Sequence, residues 1–150
     1  MVHLPRKTMF AVEAVLDIAF HGGSLPVQSA EITGRQGIPR RYLEQVLQQL
    51  VRNGILAGVR GPRGGYRLAR ERRLITVGEI VRVLGGLDAG REEEHEDGSE
   101  LGRLVIQPLW QRLEEECLTQ LDGITIDDLC RQAVERGVSR PVDDTVDYSI

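Results

Sequence analysis

The side chains of this sequence that are best placed for chemistry are arginines and glutamines between residues 41 and 52. They recur every three or four positions, as Arg41, Gln45, Gln48 and Arg52. On a helix, a rotation of about 100° per residue would gather them into one narrow stripe, with Glu44 beside it. Arginine and glutamine can reach base edges and phosphates in a DNA major groove. The stripe therefore predicts a nucleic-acid-binding helix.

The residues around the stripe support a helix of this length. Pro39 suits the first turn, where its missing N–H costs nothing, and Gly54 suits the position that ends a helix. The opposite face is apolar and predicts the buried side: Leu43, Val46, Leu47 and Leu50.

A β-hairpin is predicted directly after this helix. Ile55, Ala57 and Val59 alternate inward, and Tyr66 and Leu68 repeat the alternation. Between them Gly61-Pro62-Arg63-Gly64 has the composition of a tight turn. Arginines stud the hairpin: Arg60, Arg63 and Arg67. An Arg/Gln helix followed by a basic hairpin predicts a winged helix, with the helix in the major groove and the wing along the backbone or minor groove. The alternative is an ordinary amphipathic helix with a surface hairpin.

The same stretch resembles a known family. Y-L-E-Q-V-L-Q-Q-L followed by R-G-P-R-G-G-Y-R-L resembles the Rrf-two family of bacterial winged helix-turn-helix transcription regulators, and the likeness extends from about Phe10 to about Leu129. That family includes an iron–sulfur cluster regulator, a nitric-oxide-sensitive repressor and a cysteine-metabolism repressor. The resemblance implies a DNA-binding regulator whose phosphate contacts include Arg6 and Lys7. We expect bases to be contacted by Arg41, Tyr42 and Gln45, and phosphate or groove by Arg40, Arg60 and Arg63. The whole predicted DNA-binding set is Arg6, Lys7, Arg40, Arg41, Tyr42, Gln45, Gln48, Arg52, Arg60 and Arg63.

The charge distribution agrees with DNA binding although the net charge is −4. Residues 1–82 hold 13 Arg or Lys against 6 Asp or Glu, whereas residues 83–150 hold 6 against 17. A basic half joined to an acidic half predicts a DNA-binding part and a separate regulatory part. No apolar run is long enough to cross a membrane and no signal-peptide pattern is present, so we expect a cytoplasmic protein.

The remaining pattern is mainly helical. We predict helices from about Thr8 to Phe20 and from about Gln28 to Arg35, and capping boxes at Thr76–Glu79 and Thr125–Asp128 begin two more. The predicted fold is therefore mainly α with a small β-hairpin wing, a winged helix-turn-helix domain plus a long dimerisation helix. The predicted parts are a DNA-binding domain (1–86), an acidic sensor-type loop (87–103), a dimerisation helix with a short C-terminal helix (104–136) and a tail (137–150).

The dimerisation helix is predicted from Leu101 to Leu121. Apolar residues recur there every four positions, and others lie alongside: Leu101, Leu104, Val105, Leu109, Trp110, Leu113, Cys117, Leu118 and Leu121. So much apolar surface exceeds what a small winged helix covers, which favours a homodimer over packing on its own domain. Pro108 either kinks this helix or marks its start.

The loop before this helix bears on cofactors. In cluster-binding members of the family it carries three cysteines, and a histidine precedes a Leu-Trp pair. Here the loop has no cysteine and Gln107 stands in place of the histidine, so we expect no iron–sulfur cluster and no cofactor. The loop that contains His95 and its neighbouring carboxylates is predicted to face solvent, with a site for a hard or borderline metal ion as the alternative. Cys117 and Cys130 do not form a disulfide scaffold, and we expect both to be buried.

The last residues suggest a protein partner. An acidic spacer leads to Val146-Asp147-Tyr148-Ser149-Ile150. This resembles the C-terminal peptides, also ending in isoleucine, that enter the active site of cysteine synthase. The resemblance implies that Ile150 docks there with Tyr148 at the rim, while the alternative is a tail that packs on its own dimer.

These observations together predict a homodimeric, sequence-specific DNA-binding regulator. We expect a repressor that lacks an iron–sulfur cluster, binds a palindromic operator and controls cysteine or sulfur metabolism. The alternatives are an iron–sulfur or metal-sensing regulator with unusual ligands, and a winged-helix protein-interaction module. An enzyme is not expected, because no nucleophile–base arrangement is present and R-G-P-R-G-G lacks the Lys-Ser/Thr of a phosphate-binding loop.

Overall fold

Six α-helices and one two-stranded hairpin make up the part of the chain that the computed structural model describes, residues 4–87 and 98–139. In order, the elements are α1 (Arg6–Gly22), α2 (Ser29–Gln36), α3 (Arg40–Arg52), β1 (Leu56–Val59), β2 (Gly65–Leu68), a 3₁₀ turn (Arg72–Leu74), α4 (Val77–Val83), a π-helical turn (Gly102–Ile106), α5 (Gln107–Asp122) and α6 (Ile126–Glu135). The predicted fold class, mainly α with a hairpin wing, is confirmed.

Helices α2 and α3 form the predicted helix-turn-helix and follow α1, and the structure corrects two predicted helix starts. Helix α1 begins at Arg6, so Arg6 and Lys7 are its first two residues and do not precede it. Pro39 is the N-cap of α3 and lies just before its first turn. Gly54 follows the C-cap with φ +74°, as predicted for a glycine that ends a helix. The predicted apolar face of α3 is buried: Leu43, Val46, Leu47 and Leu50.

The wing is tied to the segment that precedes α2. Strands β1 and β2 pair antiparallel, from Leu56 opposite Leu68 to Val59 opposite Gly65. Val27 forms an isolated antiparallel bridge to β2, because its N–H and C=O both pair with Tyr66 at 2.8 Å. The sequence did not reveal this pairing. The predicted alternation was also wrong at Leu56, which is buried together with Ile55, because strand pairing begins only at Leu56.

One hydrophobic cluster joins the helix-turn-helix to the end of the described chain. Ile126 and Cys130 of α6 lie in the same cluster as the buried residues of α1, α2 and α3. Backbone hydrogen bonds reinforce this junction: Val77 N–H donates to Ile124 O at 2.8 Å, and Ile126 N–H donates to Ile75 O at 2.9 Å. The start of α4 and the start of α6 are therefore held side by side.

The two predicted capping boxes differ in outcome. At α6 the box is complete, since Thr125 N–H donates to Asp128 and Asp128 N–H donates to Thr125 Oγ1. At α4 the Thr76 hydroxyl accepts from Glu79 N–H, but the returning bond was predicted wrongly. The Glu79 carboxylate pairs with Arg70 instead, because the guanidinium of Arg70 is a stronger partner than a backbone amide.

Helical structure begins before α5 and continues through Pro108. Gln107 N–H donates to Gly102 O, five residues back, and this π-helical turn absorbs the disruption expected from a proline that has no N–H and crowds the preceding turn. Pro108 is the second residue of α5, so it lies at the start of the α-helical part, as one of the two predicted alternatives had it. The first half of the long helix is exposed, whereas Leu118 packs on Val77 and Val81 of α4.

The two cysteines differ in burial. Cys130 is buried as expected, but Cys117 is exposed on α5, so the prediction of burial was wrong for it.

Some predictions concern residues outside the described ranges. His95 lies in 88–97, and Tyr148 and Ile150 lie in 140–150. The described helices include none that is long and apolar enough to cross a membrane, and the cytoplasmic location stays a prediction.

Candidate nucleic-acid interface

The exposed face of α3 carries the predicted Arg/Gln stripe. The side chains of Arg41, Gln45, Gln48 and Arg52 are all exposed, while the opposite face of α3 lies in the core. A helix of 13 residues anchored by one fully buried face presents the other as a rigid surface. Its size and polarity suit insertion into a major groove.

Arg40 and Glu44 form an ion pair at the edge of this stripe. Arg40 Nε lies 3.1 Å from Glu44 Oε1, one turn apart on α3. Both side chains are exposed, so the pair contributes only about 0.3–0.5 kcal/mol. A DNA phosphate could therefore replace Glu44 as the partner of Arg40 at little cost.

The wing places two more arginines at its tip. Arg60 and Arg63 are both exposed, Arg60 just before the turn and Arg63 within it. Gly61 takes φ +109° in this turn, which glycine tolerates because it has no Cβ. The Gln28 side chain reaches the turn from the N-cap of α2, with Nε2 3.5 Å from Pro62 O. The segment before α2 thus contacts the wing at two places, at the turn through Gln28 and at β2 through Val27.

The start of α1 contributes the third part of the predicted set. Arg6 is exposed and Lys7 is half-buried in its first turn. Pro5 offers no side-chain cap, so no cap satisfies the first backbone N–H groups of α1, which lie in the same turn as these two cations. Such a helix start favours a phosphate. Tyr42, predicted to contact bases, is exposed at the beginning of α3.

A buried acid that sequence reasoning missed fixes α2 against α1. The Asp17 carboxylate is fully buried and accepts two hydrogen bonds from Arg35, at 2.8 and 2.9 Å, and one from Gln36 at 2.7 Å. Hydrogen bonding to Asp17 raises the pKa of Arg35. The available clue was an acid among the apolar positions of α1. Because α2 leads directly into α3, this contact helps to set the orientation of the Arg/Gln stripe.

The charges near the interface leave it positive. Ion pairs with arginines engage Asp17, Glu44, Glu71 and Glu79, four of the six acids in residues 1–82. These pairs neutralise acids mostly away from the stripe and the wing tip. A surface with an arginine helix, an arginine wing and a cationic helix start attracts the phosphate backbone.

A helix-turn-helix followed by a basic wing defines the class of winged-helix DNA-binding regulators. The chain belongs to the Rrf2 family, described as iron-dependent transcriptional regulators, whose family model it matches over residues 4–132. The family resemblance seen in the sequence is confirmed.

Relatives with names agree with the class. The HTH-type transcriptional regulator IscR of Pectobacterium atrosepticum is 38% identical over 129 residues, covering 85% of this chain and 79% of the relative. The structure of T. potens IscR superposes with a TM-score of 0.73 at 35% identity, covering 93% of this chain and 94% of that one. CymR, the global cysteine regulator of B. subtilis, superposes with a TM-score of 0.66 at 29% identity, covering 88% and 98%. The named relatives are regulators of transcription.

The family description raises the question of iron, and the donor side chains of this chain do not fit a cysteine-ligated cluster. Cys130 is enclosed in the hydrophobic core and Cys117 is exposed on α5. Gln107, at the start of α5, offers an amide and no imidazole. Over residues 4–87 and 98–139, no three His, Cys, Asp or Glu side chains are grouped to hold a metal ion. Residues 88–97 contain no cysteine.

Proposed function

We propose that this chain is a homodimeric, sequence-specific DNA-binding repressor that acts on a palindromic operator without an iron–sulfur cluster. The observation that carries the proposal is the exposed Arg41, Gln45, Gln48 and Arg52 stripe on a core-anchored α3, next to a wing tipped with Arg60 and Arg63. Rigid presentation of base-reading side chains beside phosphate-binding ones is what operator recognition requires.

The DNA-binding roles are tested on an operator that the wild-type protein selects from a random duplex library. Arg63→Ala should weaken binding to all sequences and lower the slope of log K against log salt by about 0.9, the contribution of one phosphate contact. Gln45→Ala should instead relax discrimination at one position by about 1–3 kcal/mol.

A matched control is Arg136→Ala, which removes an exposed arginine just after α6. It should leave both the affinity and the salt slope as in the wild type. The groove assignment fails if Arg63→Ala and Gln45→Ala fold normally and bind the operator as tightly as this control.

The dimer is supported by the exposed apolar surface at the beginning of the long helix. Leu101, Leu104 and Trp110 are 73%, 68% and 60% exposed. Apolar side chains this exposed on one helix are typical of a surface that a partner covers. We assign that partner as a second copy of the chain, because a two-fold dimer would place two α3 helices on half-sites about one DNA turn apart.

The side chains available as iron ligands support function without a cluster. Thiolates are the usual ligands of such clusters, and one of the two cysteines lies in the core. Protein purified without oxygen should be colourless and should bind the selected operator. Stoichiometric iron with acid-labile sulfide would contradict the proposal and favour a regulator that holds iron through unusual ligands.

Control of cysteine metabolism is proposed on two supports. The CymR structures share the fold, at 29% identity for B. subtilis and 25% for Staphylococcus aureus. The prediction that Tyr148 and Ile150 bind cysteine synthase concerns residues outside the described ranges and stays a prediction. Calorimetry with purified cysteine synthase should detect binding that excess O-acetylserine abolishes. Binding that persists after deletion of Ile150 would discard the partner.

A further inference from the structure

Phe10 connects the start of α1 to the start of α3. The Cζ atom of Arg6 lies 5.5 Å from the centroid of the Phe10 ring, and the Tyr42 ring centroid lies 6.1 Å from it at an interplanar angle of 41°. Arg6 and Phe10 are four residues apart on α1 and therefore share a face. One ring is thus in contact with two predicted DNA-binding side chains that come from different helices.

The Phe10 ring itself is held in place. It is half-buried and packs against the hydrophobic core. Tyr42 and Arg6 are both exposed. A guanidinium over an aromatic face and a tilted aromatic pair are both attractive contacts. A ring packed on the core that contacts two exposed side chains limits the positions that each of them can sample before DNA binds.

We propose that Phe10 is a positioning residue for DNA binding, which holds Arg6 for the backbone and Tyr42 for the groove at a fixed separation. The proposal rests on the DNA-binding roles proposed above for Arg6 and Tyr42. Phe10 need not touch DNA. It acts by reducing the conformational freedom that Arg6 and Tyr42 would otherwise lose on binding.

The test uses Phe10→Leu, which keeps an apolar side chain against the core and removes the ring. Operator affinity should fall about fivefold, and the salt slope should fall by up to about 0.9 as the Arg6 phosphate contact is weakened. Phe10→Tyr restores a ring and should recover both values. Leu16→Ala is the matched control, because Leu16 is also half-buried on α1 against the core. It should lower the melting temperature without changing the salt slope.

A double-mutant cycle separates positioning from a general loss of stability. If Phe10 acts through Arg6, the effect of Phe10→Leu on affinity should be smaller in an Arg6→Ala background. If Phe10→Leu does not fold, Phe10→Met takes its place, because methionine fills the same apolar site without a ring.

Two results would overturn the inference: unchanged affinity and salt slope in the folded ring-less variant, or the same loss in both backgrounds. Failure of the proposed function is distinguishable, because the wild-type protein itself would then show no salt-dependent DNA binding.

Discussion

Asp17 on α1 makes the buried polar contact that holds α2 against α1. Its buried carboxylate accepts three hydrogen bonds from α2, two of them from a charged guanidinium. A buried carboxylate is tolerated when its oxygens are fully satisfied in this way. The contact links α1 to α2 through Asp17 and Arg35, which are 18 residues apart in sequence. The contact thus helps to set the orientation of α2, alongside the hydrophobic core that α1, α2 and α3 share.

Replacing Asp17 by asparagine should therefore destabilise the fold. The amide removes the charge that two Arg35 bonds rely on, and hydrogen bonds to charged groups contribute about 1.5–3 kcal/mol, so we expect a loss of about 2 kcal/mol in the free energy of unfolding. Denaturant titration measures it. Glu13→Gln is the control, since burial raises the pKa of Glu13 and its charge does not favour the folded state. Equal stability of the two variants would contradict this role.

Asp128 should make stability depend on pH in the acid range. Its hydrogen bonds with the backbone and side chain of Thr125 lower its pKa. A carboxylate with a lowered folded pKa contributes stability that is complete above its unfolded pKa of about 4 and is lost as the pH falls through the folded value. The melting temperature of Asp128→Asn should thus lie below that of the wild type at pH 7, and the gap should shrink at pH 3. A gap of the same size at both pH values would rule this out.

Single residues also show what periodicity can and cannot predict. The buried and exposed faces of α3 follow from spacing alone, because one helix turn sorts them, and the structure bears out Leu43 and Leu47 as core. Asp17 could not be paired from sequence, since its partners lie on another helix. Cys117 was misjudged because average burial of a residue type says nothing about a helix whose outer face is uncovered.

At the scale of elements, the wing depends on a glycine that packs against backbone. A Cβ at Gly65 would lie 2.5 Å from Val27 O, and the φ of +151° disfavours a side chain there as well. Gly65→Ala should break the Val27–Tyr66 pairing and cost about 1–3 kcal/mol. Gly58→Ala in β1 is the control, because a Cβ there meets nothing within 4 Å. Unfolding curves compare the two. If both are equally stable, the wing is not held through Val27.

The long helix supplies the prediction on assembly. Leu104→Glu puts a charge on its exposed apolar surface and should convert the proposed dimer to monomers, which sedimentation velocity detects. The fold should survive, since Leu104 is exposed in one chain. Gln111→Glu adds the same charge at an exposed polar position of α5 and should remain dimeric. A dimeric Leu104→Glu would show that another surface mediates assembly.

Helices and strands were easier to predict than the contacts between them. Capping residues and glycines located α4 and α6, because these signals are local. The bridge between Val27 and Tyr66 joins residues that are distant in sequence, so no local pattern indicated it. Pro108 signalled a disturbance of the long helix, but not that a π-helical turn would accommodate it. The 3₁₀ turn at Arg72–Leu74 was also missed.

Over the whole molecule, the sequence separates a basic half from an acidic half, but charge does not reveal how the halves are joined. The structure joins them through a close approach at the start of α4. A Cβ on Gly78 would lie 1.9 Å from Asp122 Oδ1, so α4 and the end of α5 are in direct contact. Arg82 lies 2.9 Å from the Asp122 carboxylate at the same junction, which raises the pKa of Arg82.

The placement of Ile126 and Cys130 in the helix-turn-helix core has a consequence for protein engineering. In a chimera with the first 86 residues of this chain and the rest of a relative, the relative's α6 would have to pack in a core that is shaped around Ile126 and Cys130. The exchangeable unit is therefore discontinuous. It comprises residues through α4, the end of α5 and α6, because Leu118 and Asp122 at the end of α5 also pack on α4. Reporter proteins built from this regulator should graft new input segments between Gly86 and Leu113 and leave the end of α5 and α6 untouched.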